Sequence, residues 1–390
     1  MANITLFSQI IKLLDRRKFD ELVTEHNSDK HQKGYTSWTH LVSMLFCQFA
    51  KSQSLRDISY GLKSATGNLN HLGISKAPSK STIGYQNKHR GWELFRDYYY
   101  CLLESLGQQA GFKQTKFRIK SKIFLLDSTT ISLCLSLFDW AKYKTAKGAV
   151  KMHTLLDYDG NLPTYVNITD GKTADNKGAY NLPLLKGSVI VADRFYNDLS
   201  LLNVWDSKGV YFVIRHKENI KFTTIKENDL PENRHENILK DEIIKLTGIH
   251  SKKKYSKKLR RVAIWDDENQ QVIEVITNQM SWAANTISEL YKSRWQVEIF
   301  FREIKQLLHI KSFIGTSQNA VMIQIWTALI TILVLKALKE MAKFKWHLSN
   351  LVSFIRLNLF VKIDLNQWIN NPFQECNDPP HKHVYQGVLF

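Results

Sequence analysis

Two short, wholly apolar runs, Ile123-Phe-Leu-Leu126 and Val189-Ile-Val-Ala192, constrain this chain more than any other feature, because each is closed by an aspartate, Asp127 and Asp193. Four consecutive apolar residues between turn signals read as a strand buried on both faces, the kind found inside an α/β sheet flanked by helices. Each aspartate would then sit at or near the end of its strand, where the sites of α/β proteins form. Each also has a plainer reading as a cap or turn residue. For Asp193, which precedes Arg194-Phe-Tyr, capping alone accounts for it equally well.

A third acid gives the pair its meaning. Tyr291, Arg294, Glu298 and Lys305 recur at offsets 0, 3, 7 and 14, which on a helix of about 100° per residue fall inside one narrow arc. Val297, Phe300, Phe301, Ile304, Leu307 and Leu308 fill a neighbouring arc, so the polar row borders a core. A solvated helix scatters its charges over the face opposite its apolar stripe, whereas here one carboxylate is ringed by two cations and a phenol. That arrangement suits a metal ligand facing a nucleic-acid backbone. Two strand-end aspartates and a helix glutamate can hold two divalent cations about 3.5 to 4 Å apart, and Mg²⁺ favours such oxygen donors.

The balance of charge agrees. Lys and Arg number 54 against 36 Asp and Glu, a net charge of +18, which favours a polyanionic partner. Cys47, Cys101, Cys134 and Cys376 are scattered with no Cys-x-x-Cys pair, so neither a zinc ribbon nor a disulfide framework is indicated, and a cytoplasmic setting is expected. The N-terminus does not read as a signal peptide. The apolar stretch Val321 to Leu335 is interrupted by Gln324, Thr327 and Thr331 and falls short of the roughly 20 residues that a membrane span needs. It is expected to be a buried core helix, with no membrane partner.

Along the chain, residues 1–115 carry helical periodicity, as in Phe7 to Leu14 and Leu41 to Phe49. Two short helices, each opened by a Ser or Thr cap, are expected near Ser54-Leu-Arg-Asp and Pro78-Ser-Lys-Ser-Thr. A helix-turn-helix DNA-binding unit and an ordinary bundle with basic faces account for them equally well. Strand-like runs follow, with a hairpin turn at Asp157-Tyr-Asp-Gly160. Between Asp193 and Glu298 lie the strand candidates Val210 to Arg215, Arg261 to Trp265 and Gln271 to Thr277, together with a basic run from Lys252 to Arg261 that is either a solvated loop or a phosphate grip.

The spacing Tyr291-x2-Arg294-x3-Glu298-x6-Lys305 resembles the YREK signature of the insertion-sequence-4 family of DDE transposases. Leu126-Asp127-Ser-Thr-Thr and Val191-Ala-Asp193-Arg-Phe-Tyr look like that family's two aspartate regions, and the opening Phe7-Ser-Gln-Ile-Ile-Lys to Leu55-Arg-Asp-Ile resembles the N-terminal domain of one subgroup. The resemblance implies an α/β fold, an RNase H-like catalytic core interrupted by a β-rich insertion and preceded by a helical N-terminal domain. The expected division is a DNA-binding domain over 1–115, core over 116–200, insertion over 201–284, core with the signature helix over 285–345, and a C-terminal tail over 346–390. The activity implied is cutting of DNA at transposon ends and joining of the freed 3′ hydroxyl to target DNA. Asp127, Asp193 and Glu298 would be catalytic ligands of two Mg²⁺ ions, with Mn²⁺ substituting, and Tyr291, Arg294 and Lys305 would contact DNA phosphates. The implied partners are double-stranded DNA and a second copy of the chain, in a nucleoid-associated bacterial protein. An inactive end-binding inhibitor and a related nuclease are the alternatives.

Family members can excise through a DNA hairpin, helped by an aromatic side chain on the insertion. Aligned so, Ile273 stands where a Trp is expected, with Trp265 and Trp282 to either side as candidates for stacking or core. His153 and Arg302 have weaker claims to supporting roles, and Arg215 and Lys217 to DNA contact.

Overall fold

The computed structural model describes residues 4–65, 67–107, 117, 119, 121–133, 138, 140, 142–144, 147–172, 175–230, 237–307, 310 and 313–373. Leu308, Cys134 and Cys376 lie outside the described residues.

Among the described residues, six α-helices open the chain: α1 (Leu6–Ile11), α2 (Arg16–Glu25), α3 (Ser37–Ala50), α4 (Leu55–Ser64), α5 (Lys80–His89) and α6 (Glu93–Gly107). The caps at α4 and α5 form where expected, with the Asp57 amide donating to Ser54 Oγ at 3.2 Å and the Thr82 amide to Ser79 Oγ at 3.1 Å. The two helices pack together, yet residues 65–79 separate them, whereas a helix-turn-helix joins its helices by a turn of about 3–4 residues.

The middle of the chain alternates strand and helix through β1 (Ile123–Leu133), β2 (Lys142–Lys144), β3 (Lys147–Asp157), β4 (Leu162–Asp170), α7 (Asp175–Ala179), β5 (Val189–Ala192), α8 (Leu199–Ser207) and β6 (Tyr211–Arg215). In order β4-β3-β1-β5-β6, the first three are antiparallel neighbours, while β5 runs parallel to β1 and β6 parallel to β5. This is the RNase H-like core. The hairpin of β3 and β4 turns at residues 158–161, as the Asp-Tyr-Asp-Gly sequence predicts. Two expectations change here. Asp127 does not close a strand, because β1 continues to Leu133 against β3; what ends at Leu126↔Ala192 is its parallel pairing with β5. The run Val210 to Arg215 is not a strand of the insertion's own sheet region but the parallel partner of β5.

The insertion contributes β7 (Phe222–Glu227), β8 (Ile238–Leu246), α9 (Ile249–Lys254), β9 (Leu259–Asp266) and β10 (Gln271–Thr277). These strands extend the same sheet beyond β6 in the antiparallel order β10-β9-β8-β7. Neither β7 nor β8 is apparent in the sequence, since Lys240-Asp-Glu242 breaks the apolar pattern of β8. The charges are absorbed by β9. Arg260 binds Asp241 through Nε at 2.8 Å and Nη2 at 2.6 Å with both side chains about 6% exposed, and Arg261 pairs with Glu242 and Glu274. Two members of the basic run are therefore spent inside the sheet, while Lys252, Lys253 and Lys254 are exposed on α9.

Strand alternation sorts side chains onto two faces. Ile123, Leu125, Val189, Val191 and Val213 join one core, and Phe124, Leu126, Ile190, Ala192, Phe212 and Ile214 join another that includes Leu201, Leu202 and Trp205 of α8. The first core lies under α10 (Ala284–Ser293), α11 (Trp295–Leu307) and α12 (Gln318–Met341), and it is continuous with the N-terminal helices. Helix α12 is long and apolar enough to cross a membrane, but its most apolar 18-residue window is 94% buried, as the core-helix reading expects. Asn319 ties it to the N-terminal region, donating to the Asn87 carbonyl at 2.9 Å and the Arg90 carbonyl at 2.7 Å. The expected tail is structured to residue 373: α13 (Leu348–Asn358) and α14 (Leu365–Asn370) follow, and the Leu6 and Phe7 amides bond to the Val361 and Leu359 carbonyls. Residues 374–390 lie outside the described part.

Candidate functional site

Alternation decides where the acids face. Asp127 continues the series Ile123, Leu125 and Asp193 the series Val189, Val191, so both carboxylates emerge on the face covered by α10 and α11. Leu126 and Ala192 are registered on strands whose backbones are about 4.8 Å apart, so Asp127 on β1 and Asp193, one residue past the end of β5 in still-extended backbone, stand side by side.

Glu298 comes from above. The signature does not lie on one unbroken helix, as its periodicity suggests, but across the junction of α10 and α11. At that junction the Arg294 amide donates to the Tyr291 carbonyl and the Val297 amide to the Arg294 carbonyl, each at 3.1 Å, so the turn tightens to i→i−3 pitch. The Ser293 hydroxyl donates to the Leu290 carbonyl at 2.6 Å and competes for the same helix end. Below the junction Val297, Phe300, Phe301 and Ile304 are buried as predicted.

Arg294 links helix and sheet. Its Nη1 reaches Asp127 Oδ2 at 3.3 Å and its Nη2 reaches Glu298 Oε1 at 2.7 Å, with the side chain 16% exposed. Burial pushes Asp127 up to about 6, and Asp193 and Glu298 push in the same direction, while the Ser128 amide at 2.7 Å and Arg294 oppose. Tyr291 is buried beneath the Arg294 guanidinium, 6.0 Å from ring centroid to Cζ, and burial raises its phenol. The structure thus brings Asp127, Glu298 and Arg294 into contact and sets Asp193 and Tyr291 beside them. Lys305 is half-buried in the last turn of α11, two turns beyond Glu298.

A cleft of about 740 Å³ opens next to this group, bordered by Asp193, Arg215, Trp265, Ile273, Tyr291, Arg294 and Trp295. Arg215 ends β6 on the acid-bearing face, as Val213 packs in that core. Its Nη2 donates to Gln271 Oε1 at 3.3 Å. Lys217 is turned to the Asn197 carbonyl at 2.8 Å. Trp265 lines the cleft, whereas Trp282 packs on Tyr211 with centroids 5.7 Å apart. Trp295 was not singled out by sequence reasoning, yet it is 51% exposed in the cleft; its place between Arg294 and Glu298 in the signature was the available signal.

The weaker candidates fall away from the acids. His153 pairs across β1 with Ser128, so it faces the opposite side of the sheet from Asp127 and lies 3.1 Å from Thr169 Oγ1. Arg302 is exposed.

The donors Asp127, Asp193 and Glu298 are all carboxylate oxygens, the set that a hard cation such as Mg²⁺ prefers. Among the described residues, as they stand, no group of three His, Cys, Asp or Glu side chains is close enough to hold one ion. Between two of the acids lies a positive charge of the chain's own, the Arg294 guanidinium, so the site's electrostatics fit a cation.

Comparison with known proteins bears on the same segment. The family profile described as "Transposase DDE domain" matches residues 118–334, more than half of the chain, and one described as a domain of unknown function (DUF4372) matches residues 2–75. A protein of Geobacillus stearothermophilus named as a probable transposase for insertion sequence element IS5377 is 28% identical over 71% of this chain and 72% of its own length. A protein of Synechocystis sp. named "Putative transposase for insertion sequence element IS4SA" is 25% identical over 74% of this chain and 80% of its own. With its matched segment holding both aspartates, the signature glutamate and the RNase H-like sheet, this chain belongs to the DDE transposase family of DNA-cleaving and strand-transferring enzymes.

Proposed function

We propose that this transposase binds the ends of its element, cleaves them and joins the freed 3′ hydroxyl to target DNA, with Asp127, Asp193 and Glu298 as the ligands of two divalent cations, Mg²⁺ or Mn²⁺. The observation that carries this reading is the convergence of Asp127 and Glu298 on one guanidinium, with Asp193 at the end of the next strand. Bound there, two divalent cations would supply Lewis acidity and neutralise charge during in-line displacement at phosphorus.

The chain's own residues do the positioning. Arg294 and Tyr291 face the cleft beside the acids and take the phosphate at the reacting position, Arg294 by bidentate pairing and Tyr291 by its hydroxyl. Lys305, farther along α11, holds a phosphate to one side of it, and Arg215 one on the other. The exposed face of α5, with Lys80, Ser81, Tyr85 and Lys88, is free of acids and suits duplex binding outside the catalytic cleft. Two ends require two active sites, so the working form on DNA is a dimer of this chain.

The test uses purified protein, Mg²⁺ or Mn²⁺, and DNA carrying the inverted repeats that bracket the gene. Nicking and joining are expected, and Glu298→Ala should abolish both while end binding persists. Cleavage retained in that variant would falsify the assignment. Cleavage without joining would favour the nuclease reading.

A further inference from the structure

Arg294 stands in an unusual position for a residue that grips DNA. Its two terminal nitrogens are engaged by carboxylates from different elements, Asp127 on the sheet and Glu298 on the helix. Two facing, partly buried carboxylates repel each other unless a cation lies between them or one takes a proton, and Arg294 supplies that cation from within the chain. It occupies the gap where, on the reading proposed above, a divalent ion has to bind.

We propose that Arg294 has two stations. In the first, shown here, it bridges Asp127 and Glu298 and keeps the acids preassembled; in the second, with a divalent cation held by the carboxylates, its guanidinium would lie in the adjoining cleft and pair with a DNA phosphate. This inference rests on the assignment of Asp127, Asp193 and Glu298 as metal ligands.

Two features support the exchange. Arg294 already borders the cleft that holds Arg215 and Tyr291, so release needs a rotation of one side chain and no rearrangement of the fold. Charge also argues for it, because a guanidinium and a divalent ion cannot share one small gap between two carboxylates at low cost.

The consequence is cooperativity. Metal frees the arginine that phosphate needs, and phosphate takes up the arginine that metal must displace, so each ligand strengthens the other by the same factor.

Mn²⁺ binding to the purified full-length chain is measured by calorimetric titration, with and without mixed-sequence duplex DNA, for the wild type and for Arg294→Gln, Arg294→Lys and Asp127→Asn. Without DNA, Arg294→Gln should bind Mn²⁺ at least about tenfold more tightly than the wild type, whereas Arg294→Lys, which keeps the charge, should stay near it. DNA should tighten Mn²⁺ binding to the wild type by a similar factor and leave Arg294→Gln almost unchanged. Arg294→Gln binding Mn²⁺ no more tightly than the wild type overturns the exchange. Should that variant fail to fold, a wild-type Mn²⁺ affinity indifferent to DNA overturns it equally. Asp127→Asn separates the two levels: Mn²⁺ binding that survives it intact sinks the metal-ligand reading itself, whereas binding lost there but unaltered in Arg294→Gln sinks only the exchange.

Discussion

Leu126 faces Ala192 in the last registered pair of the parallel β1–β5 ladder, and the residue that follows each in sequence is an aspartate, Asp127 still within β1 and Asp193 just past the end of β5. That register sets Asp127 beside Asp193 independently of anything the helices do. The helix then adds Glu298 through Arg294. Replacing Glu298 by Gln, which keeps its size and removes its charge, should lower the rate of DNA nicking by about 10³-fold or more. Gel-based cleavage of end DNA checks the rate, and an unaltered far-UV circular dichroism spectrum shows that the sheet stands without it.

Lys305 should act through charge alone. Because each phosphate contact releases counterions, Lys305→Ala should reduce the slope of log binding constant against log salt by about one. Fluorescence anisotropy on duplex DNA between low and moderate salt measures that slope, and the same slope as the wild type excludes a phosphate contact.

The Arg260–Asp241 pair should matter for stability and not for DNA. Removing one partner strands a buried charge, so Asp241→Ala should cost about 3–5 kcal/mol. Replacing both residues together with apolar ones of similar volume should recover most of the loss. Chemical denaturation of the single and double variants is the check, and a double variant no better than the single would refute the ion-pair account of β8 and β9.

His40 should make the protein acid-sensitive. It is fully buried in α3 with Nε2 2.7 Å from Asn87 Oδ1, and burial, aided by Arg90, pushes its pKa down to about 3. Folded, it stays neutral; unfolded, it takes a proton below about 6.5. Its contribution is therefore intact above that value and is lost as pH falls from about 6.5 towards 3, by up to about 5 kcal/mol. Denaturant midpoints at pH 7 and pH 4 should fall less for His40→Gln than for the wild type, and equal falls would remove His40 from the explanation.

Much of the fold was legible because its signals are local. Continuous apolar runs gave β1 and β5, and short apolar runs set off by turns gave the β3–β4 hairpin and the strands β6, β9 and β10; Ser caps gave α4 and α5; and interruption by Gln324, Thr327 and Thr331 marked α12 as core. Strand β8 was not legible, because Asp241 and Glu242 are tolerable in a strand only when Arg260 and Arg261 stand across from them on β9. The candidate site divides the same way. The sequence by itself determined the identities and spacings of Asp127, Asp193, Tyr291, Arg294, Glu298 and Lys305, since periodicity and a family signature are properties of neighbours along the chain. Only the tertiary structure decided that Asp127 lies mid-strand, that the signature helix breaks at Arg294, that Trp295 opens into the cleft while His153 faces away, and that one guanidinium joins two acids 171 residues apart in sequence. Those outcomes depend on sheet register and on charges meeting across long loops, and no local pattern encodes either.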